Sequence, residues 1–359
     1  MIEAAVTPGM KGDGFYDAHS EYQRRIVEDA AQAIRTMVRA LPLAQDSGEI
    51  CTVVDYGCGT GATTAQSMGT ALRALRERAP KIALQASHAD QVTNDFNQVF
   101  CTAAETYQRD VAAPLYVSAV AGSFFGQIVP IGSVAVGLCS NAAHWFRKQP
   151  KVALPGGMFF SAAEGEARAE LVQTAADDWL AFLSARASEL ERGGRLLVQG
   201  IGRVADADGE HVSAEELLAL TWEIASGMAD DNLLDRPTLV NYVFPVYCRS
   251  VEESVAPMGS GAPLHDRLVV CTAETKEIAN PYWEDYQKTN DAAGYARSYT
   301  AFVRAFAEST LLNQLFRHAA AAPELACEEF FRRLEDAIRL APERGRYRAW
   351  IVRLILARR

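Results

Sequence analysis

Asp55, Gly57, Gly59 and Gly61 stand at alternate positions in VVDYGCGTGATT, directly after an apolar run. A chain tolerates this much glycine where backbone must turn sharply or come close to another group. An acid ending a strand before such a turn offers a ligand close backbone and one carboxylate. Three readings stay open on these residues alone. A dinucleotide fold wants G-x-G-x-x-G or G-x-G-x-x-A, which Gly57, Gly59 and Ala62 satisfy formally. S-adenosylmethionine has no pyrophosphate but does have a cationic amino group, which suits Asp55. Asp90, ending a second apolar run, would then take the ribose hydroxyls. The third reading is a tight turn that holds nothing.

Chemistry of either ligand kind needs strands that deliver the turn to one edge of a sheet. EICTVVDYG, KIALQASHAD, PLYVSAVAGSFF, GSVAVGLCSNAAHWF and RLLVQGIGRV read as five strands, with helical stretches between them. YDAHSEYQRRIVEDAAQAIRTMVRAL reads as one long helix stopped by Pro42, and EARAELVQTAADDWLAFLSARASELERGG as another stopped at Gly193-Gly194. This alternation predicts an α/β fold around an open, doubly wound parallel sheet. From about residue 211 to 240 the pattern is helical without strands. DRLVVCTAE is strand-like, and Tyr299–His318 and Glu328–Arg358 read as helical again. The expected division is a core of residues 1–204 and 265–359, with a mostly helical cap over 205–310 partly interleaved with it.

Bulk properties narrow the partners. The chain has 359 residues, 49% of them hydrophobic, and a formal net charge of −10. Dispersed cations on an acidic chain argue against nucleic acid, which needs clustered Lys and Arg. No apolar run approaches the roughly 20 residues that span a bilayer, so no membrane partner is expected. Seven scattered cysteines and six isolated histidines show no ligand spacing, so no metal is expected and a reducing, cytoplasmic setting is.

Further stretches, in order, resemble the SABATH family of small-molecule carboxyl methyltransferases. MKGDGFYDAHSEYQRRIV is similar to that family's opening, and VVDYGCGTGATT to its I-A-D-L-G-C-S-S-G-P-N-T. ADQVTNDFNQVF, GSFFGQIVP and CSNAAHWFRKQP resemble its next three elements; YVFPVY and FVRAFAESTLLNQLF resemble two later ones. The order holds from about residue 9 to the C-terminus.

The resemblance implies a Rossmann-like class I methyltransferase fold, S-adenosylmethionine as cofactor, S-adenosylhomocysteine as product, and a small aromatic or aliphatic carboxylic acid as substrate. It places Tyr16, Ser20, Asp55, Gly57, Gly59, Gly61, Asp90, Gln91, Ser123 and Phe124 around the cofactor. It places Gln23 and Trp145 as hydrogen-bond donors to the substrate carboxylate, with Asn141, His144, Trp222 and Tyr247 also near the substrate. A carboxylate is already ionised near neutral pH, so such a reaction needs alignment rather than a general base. Family members are often homodimers. Nitrogen-methylating members tend to lose the glutamine, so Gln23 favours an oxygen acceptor over a heterocyclic nitrogen; a donor-binding homologue without turnover is the other rival. The chain departs from the family at His19, Thr63, Asn141 and Gln91–Thr93. Cys58 has no histidine placed beside it and is not read as a nucleophile.

Overall fold

A computed structural model of the protein describes residues 10–12, 14–43, 50–319 and 322–359. Residues 1–9 of the expected core and Asp13 of the opening motif lie outside the described residues. Strands β1 (Ile50–Tyr56), β2 (Ala83–Asp90), β3 (Leu115–Ala121), β4 (Val134–Ser140) and β5 (Leu190–Ile201) pair in parallel in the order β3-β2-β1-β4-β5. Strands β6 (Arg203–Asp206) and β7 (Gly209–Val212) form a separate hairpin. Strands β8 (Leu268–Ile278) and β9 (Ala349–Arg358) complete the main sheet, with β9 antiparallel between β5 and β8.

Successive strand side chains point to opposite faces, so a strand covered on both must be apolar throughout. Val53 accordingly packs with Ile34, Leu72 and Leu84, while Val54 packs with Phe182, Leu183 and Leu356. Helices Ala31–Arg39 and Ala65–Arg78 cover the first face, and the long helix Gly165–Glu189 covers the second. The sheet is therefore the doubly wound α/β one expected.

Above its carboxyl edge, helices Glu215–Asp230, Ala292–Thr310 and Pro323–Leu340 pack together. Their shared cluster includes Leu217, Phe302 and Phe330, and it extends to Tyr22 and Ile26 of helix Glu21–Asp29 and to Ile351 of β9. Cap and core are thus bound by one continuous apolar cluster.

Several elements differ from expectation. The first long helix is three pieces, Phe15–Ala18, Glu21–Asp29 and Ala31–Arg39. Its first break lets Asp17 reach the glycine turn, where Thr60 Oγ1 donates to Asp17 Oδ1 at 2.7 Å. The pair Gly193-Gly194 does not stop a helix; the helix ends at Glu189, and β5 runs through both glycines beside a register shift against β4. The β6–β7 hairpin was not expected; it precedes the stretch read as strandless and overlaps it only at His211 and Val212. The C-terminal stretch is helical only to Leu340, and β9 follows. Strand β8 falls where the expected core (265–359) and cap (205–310) overlap and belongs to the main sheet, whereas Pro323–Leu340, expected in the core, packs in the helical layer.

Candidate active site

A cavity of about 1360 Å³ opens across the carboxyl ends of β1, β2, β3 and β4 and continues beneath the cap. Its floor is the glycine turn. The N–H groups of Gly57 and Cys58 both donate to Ala89 O, at 2.8 and 3.3 Å, and Gly61 N–H donates to Cys58 O at 3.0 Å. Gly59 N–H donates to Asp90 Oδ2 at 2.7 Å, and Gln91 N–H to Asp90 Oδ1 at 2.7 Å. These donors are consumed inside the fold beside a carboxylate, so the turn makes no cradle for a pyrophosphate. Gly59, at φ +55°, lines the cavity and has open space where a Cβ would stand, whereas a Cβ at Gly57, at φ +80°, would strike Ala142.

Burial pushes the Asp90 carboxyl above the usual carboxylate range, and the nearby Asp55 adds to that push against the Gly59 and Gln91 N–H bonds. Asp55 itself does not line the cavity. It is buried behind the turn, 3.7 Å from His88 Nδ1, with Oδ2 making no hydrogen bond. His88 Nε2 lies 2.6 Å from the Tyr107 hydroxyl. Ser20 is also one layer back: its Oγ is 3.2 Å from Thr63 Oγ1, and Thr63 lines the cavity in its place. Tyr16 lines it as well, with its hydroxyl held by Thr63 and its ionisation pushed up by burial. Gly61 supports the turn from behind, facing Thr102.

Ser123 and Phe124 border the cavity on the loop after β3. That loop hangs on a buried ion pair. Arg186 Nε donates to Glu189 Oε2 at 2.7 Å, while Arg186 Nη1 donates to Phe124 O at 2.7 Å and Nη2 to Gly126 O at 2.9 Å. Glu189 Oε1 accepts from Ile128 N–H at 2.6 Å, and Oε2 accepts from the Tyr56 hydroxyl at 2.8 Å. Arg186 and Glu189 carry no motif that marks them in the sequence. Their signal is only a pair of charges three apart on a helix face that has to be apolar.

The exit of β4 supplies the other wall. Asn141 takes φ +55°, which an Asn tolerates better than most residues, and turns the chain so that Asn141, His144 and Trp145 all face the cavity. Gln23 comes to the same wall from helix Glu21–Asp29, and Gln199 ties that helix to β4 by Nε2 contacts to Ile26 O at 3.4 Å and Ser140 Oγ at 3.2 Å. Three buried polar atoms here have no partner: Gln23 Oε1, Asn141 Nδ2 and His144 Nδ1. Buried polar groups are ordinarily bonded, so this wall carries unmet bonding capacity at Gln23 and Asn141, while His144 Nδ1 faces Gly200 of β5. Burial, with the Arg249 guanidinium adding, pulls His144 from 6.5 down to about 3, so its imidazole is neutral at physiological pH. Burial also pushes the Cys58 thiol up, away from the thiolate a nucleophile needs.

This geometry meets a close match among known proteins. A family model described as SAM dependent carboxyl methyltransferase covers residues 5–359. The chain belongs to that family. Its cofactor is S-adenosylmethionine, and its reaction class is O-methylation of a carboxylic acid. The residues on the page fit such a donor: a turn closed to pyrophosphate, open space at Gly59 and a strand-end acid with lone pairs to spare. Among relatives of this carboxyl methyltransferase, gibberellic acid methyltransferase 2 of Arabidopsis thaliana is 25% identical over 92% of this chain and 88% of its own. Farnesoic acid carboxyl-O-methyltransferase of the same plant is 26% identical over 68% and 72%. Caffeine synthase 3 of Camellia sinensis is 25% identical over 85% and 84%. A loganic acid methyltransferase structure superposes with a TM-score of 0.75 over 98% of both chains at 21% identity, which confirms the class I fold.

Two residues expected at the substrate are elsewhere in the carboxyl methyltransferase. Tyr247 is 1% exposed, donates its hydroxyl to Glu253 Oε1 at 2.8 Å and lies off the cavity wall. Trp222 packs on the outside of the cap cluster and does not line the cavity either. Phe244, Phe302, Phe306 and Leu217 line it instead. Helical periodicity at Leu217, Phe302 and Phe306 signals burial, not which cavity they face. Among the described residues no helix is long and apolar enough to cross a membrane.

Proposed function

We propose that the protein forms the methyl ester of an organic acid whose carboxylate is held by Gln23 and Trp145. The observation that carries this is the wall where Gln23, Asn141 and Trp145 line the cavity, with buried polar atoms of Gln23 and Asn141 left unpartnered. The Gln23 side chain can present Oε1 or, after a half-turn, its NH₂ group, and the Trp145 indole is a donor only. Neutral donors fix a carboxylate without neutralising it as an ammonium would. The carboxylate is ionised near neutral pH, so neutral His144 is not needed as a base. Orientation of this kind is worth about 7–11 kcal/mol in favourable cases.

When bound, S-adenosylmethionine supplies an activated methyl group on a sulfonium. Asp90 would accept from the ribose hydroxyls, Tyr16 and Gln91 would flank the nucleoside, and Ser123 and Phe124 would frame the adenine. Asp55 and Ser20 would act at one remove, through the turn and through Thr63. The cap excludes water from the acceptor side. Seven free cysteines suit a reducing cytoplasm, and the exposed Phe100 and Tyr116 beside edge strand β3 suit a homodimer, which sedimentation would reveal.

The test is a panel of acids and azaheterocycles with radiolabelled donor. A base-labile labelled product is the expected ester. A base-stable product would mean nitrogen transfer, in line with the caffeine synthase relative, and donor binding without any product would mean a non-catalytic homologue.

A further inference from the structure

The acceptor half of the cavity is polar at one end and apolar along its length. Gln23, Asn141 and His144, each with one unpartnered buried polar atom, line the cavity together with Trp145. From Trp145 a track of rings leads away under the cap: Trp145 to Phe244 is 5.7 Å between centroids, Phe244 to Phe306 is 6.4 Å, and Phe306 to Phe302 is 5.2 Å. Tyr347 continues it, 6.3 Å from Phe306. All of these rings line the cavity, with Leu217 among its other apolar lining residues.

Two polar groups beside the track are already engaged. Tyr22 donates its hydroxyl to Ile278 O at 2.6 Å, and Lys11 Nζ is 2.8 Å from Glu308 Oε1. A hydroxylated or multiply charged acid would therefore lose hydration there without regaining bonds. A pocket for one drug-sized molecule holds about 300–1,000 Å³, so the cavity of about 1360 Å³ has room for a donor and an acid side by side.

We propose that the acceptor is an amphiphilic monocarboxylic acid whose extended, flexible apolar tail lies along the Trp145–Phe244–Phe306–Phe302 track. This deepens the ester-forming reading and rests on it.

The experiment measures kcat/KM for hexanoic, octanoic, dodecanoic and hexadecanoic acids beside benzoic and salicylic acids, all with the intact chain and labelled donor. The expected result is a rise of about two- to fourfold per added methylene until the track is filled, with dodecanoic acid well ahead of benzoic acid. A second measurement uses Phe306→Ala, which should cut kcat/KM for dodecanoic acid about tenfold more than for hexanoic acid. A flat or falling series with benzoic or salicylic acid preferred would overturn the tail assignment while leaving ester formation intact. No ester from any acid, with the donor bound, would overturn both. The chain-length series stands on the unmodified protein if the variant does not fold.

Discussion

The Phe124 carbonyl oxygen accepts a hydrogen bond from Arg186 Nη1 at 2.7 Å, although Arg186 lies on a different element and is completely buried. The cavity loop is thus held from behind by a charge rather than by its own turn. Glu189 holds the same loop through Ile128 N–H, so the pair positions both sides of it.

Removing one partner separates fold from site. Arg186→Met should cost about 3–5 kcal/mol of stability, because it strands the Glu189 carboxylate in the interior. Arg186→Met with Glu189→Leu should recover much of that loss, since no charge is left unpaired. It should not recover donor binding, because the Phe124 and Gly126 carbonyls and the Ile128 N–H still lack partners. Urea unfolding and donor KM, measured on both variants, read the two effects. Donor KM returning to normal in the double variant would show the pair to be structural only.

Asp90 gives a second prediction. Both of its oxygens accept from backbone N–H groups, so Asp90→Asn sets an amide NH₂ against Gly59 or Gln91. Donor affinity should fall about 10- to 100-fold, the size of one or two lost charge-assisted bonds. Because burial holds this carboxyl above the usual range, acidification should weaken donor binding sooner than an exposed aspartate would. Calorimetric titration of the donor across pH checks both, and an unchanged Kd in Asp90→Asn would remove Asp90 from the site.

The turn and the five parallel strands were legible from local pattern, whereas Gln23, Asn141, His144 and Trp145 were expected near the substrate only through the resemblance to the carboxyl methyltransferases. Strand β9 was not legible. AWIVRLILAR has a charge in the middle of its run, and a charge inside apolar residues reads as a helix with a polar face. In the fold, Arg353 is 5% exposed, and Asp29, Glu274 and Gln199 come from three distant elements to satisfy it. The β6–β7 hairpin carried only a partial signal, the Asp208-Gly209 dipeptide: its two-residue loop is Ala207-Asp208, and Gly209 already pairs with Asp206. Trp222 and Tyr247 show the opposite limit: aromatic content places a residue in the cap, but only packing decides which way it faces.

Gln23 and Trp145 yield a third prediction. Gln23→Ala and Trp145→Ala should each lower kcat/KM for the acid about 10- to 100-fold, the loss of one hydrogen bond to a charged group. Donor Kd should stay within about twofold in both, since neither residue lies on the glycine-turn wall. Steady-state kinetics paired with calorimetry would show this. Near-normal turnover in both variants would relocate the carboxylate.

His144 allows a test that needs no substrate. Its folded pKa is depressed from 6.5 to about 3 by burial and by Arg249. Below about pH 6.5 the unfolded chain takes up a proton there that the folded chain refuses. Its contribution to stability is therefore complete above that pH and is lost progressively as pH falls toward 3. The loss should be about 2 kcal/mol between pH 7 and pH 5, from this group alone. Other groups titrate in the same range, so the comparison is with His144→Asn, which removes only this proton. The stability gap between wild type and variant should narrow by about that amount on acidification. Urea midpoints for the two proteins at several pH values measure the gap, and a constant gap would mean that the folded chain also takes up the proton, with His144 open to water.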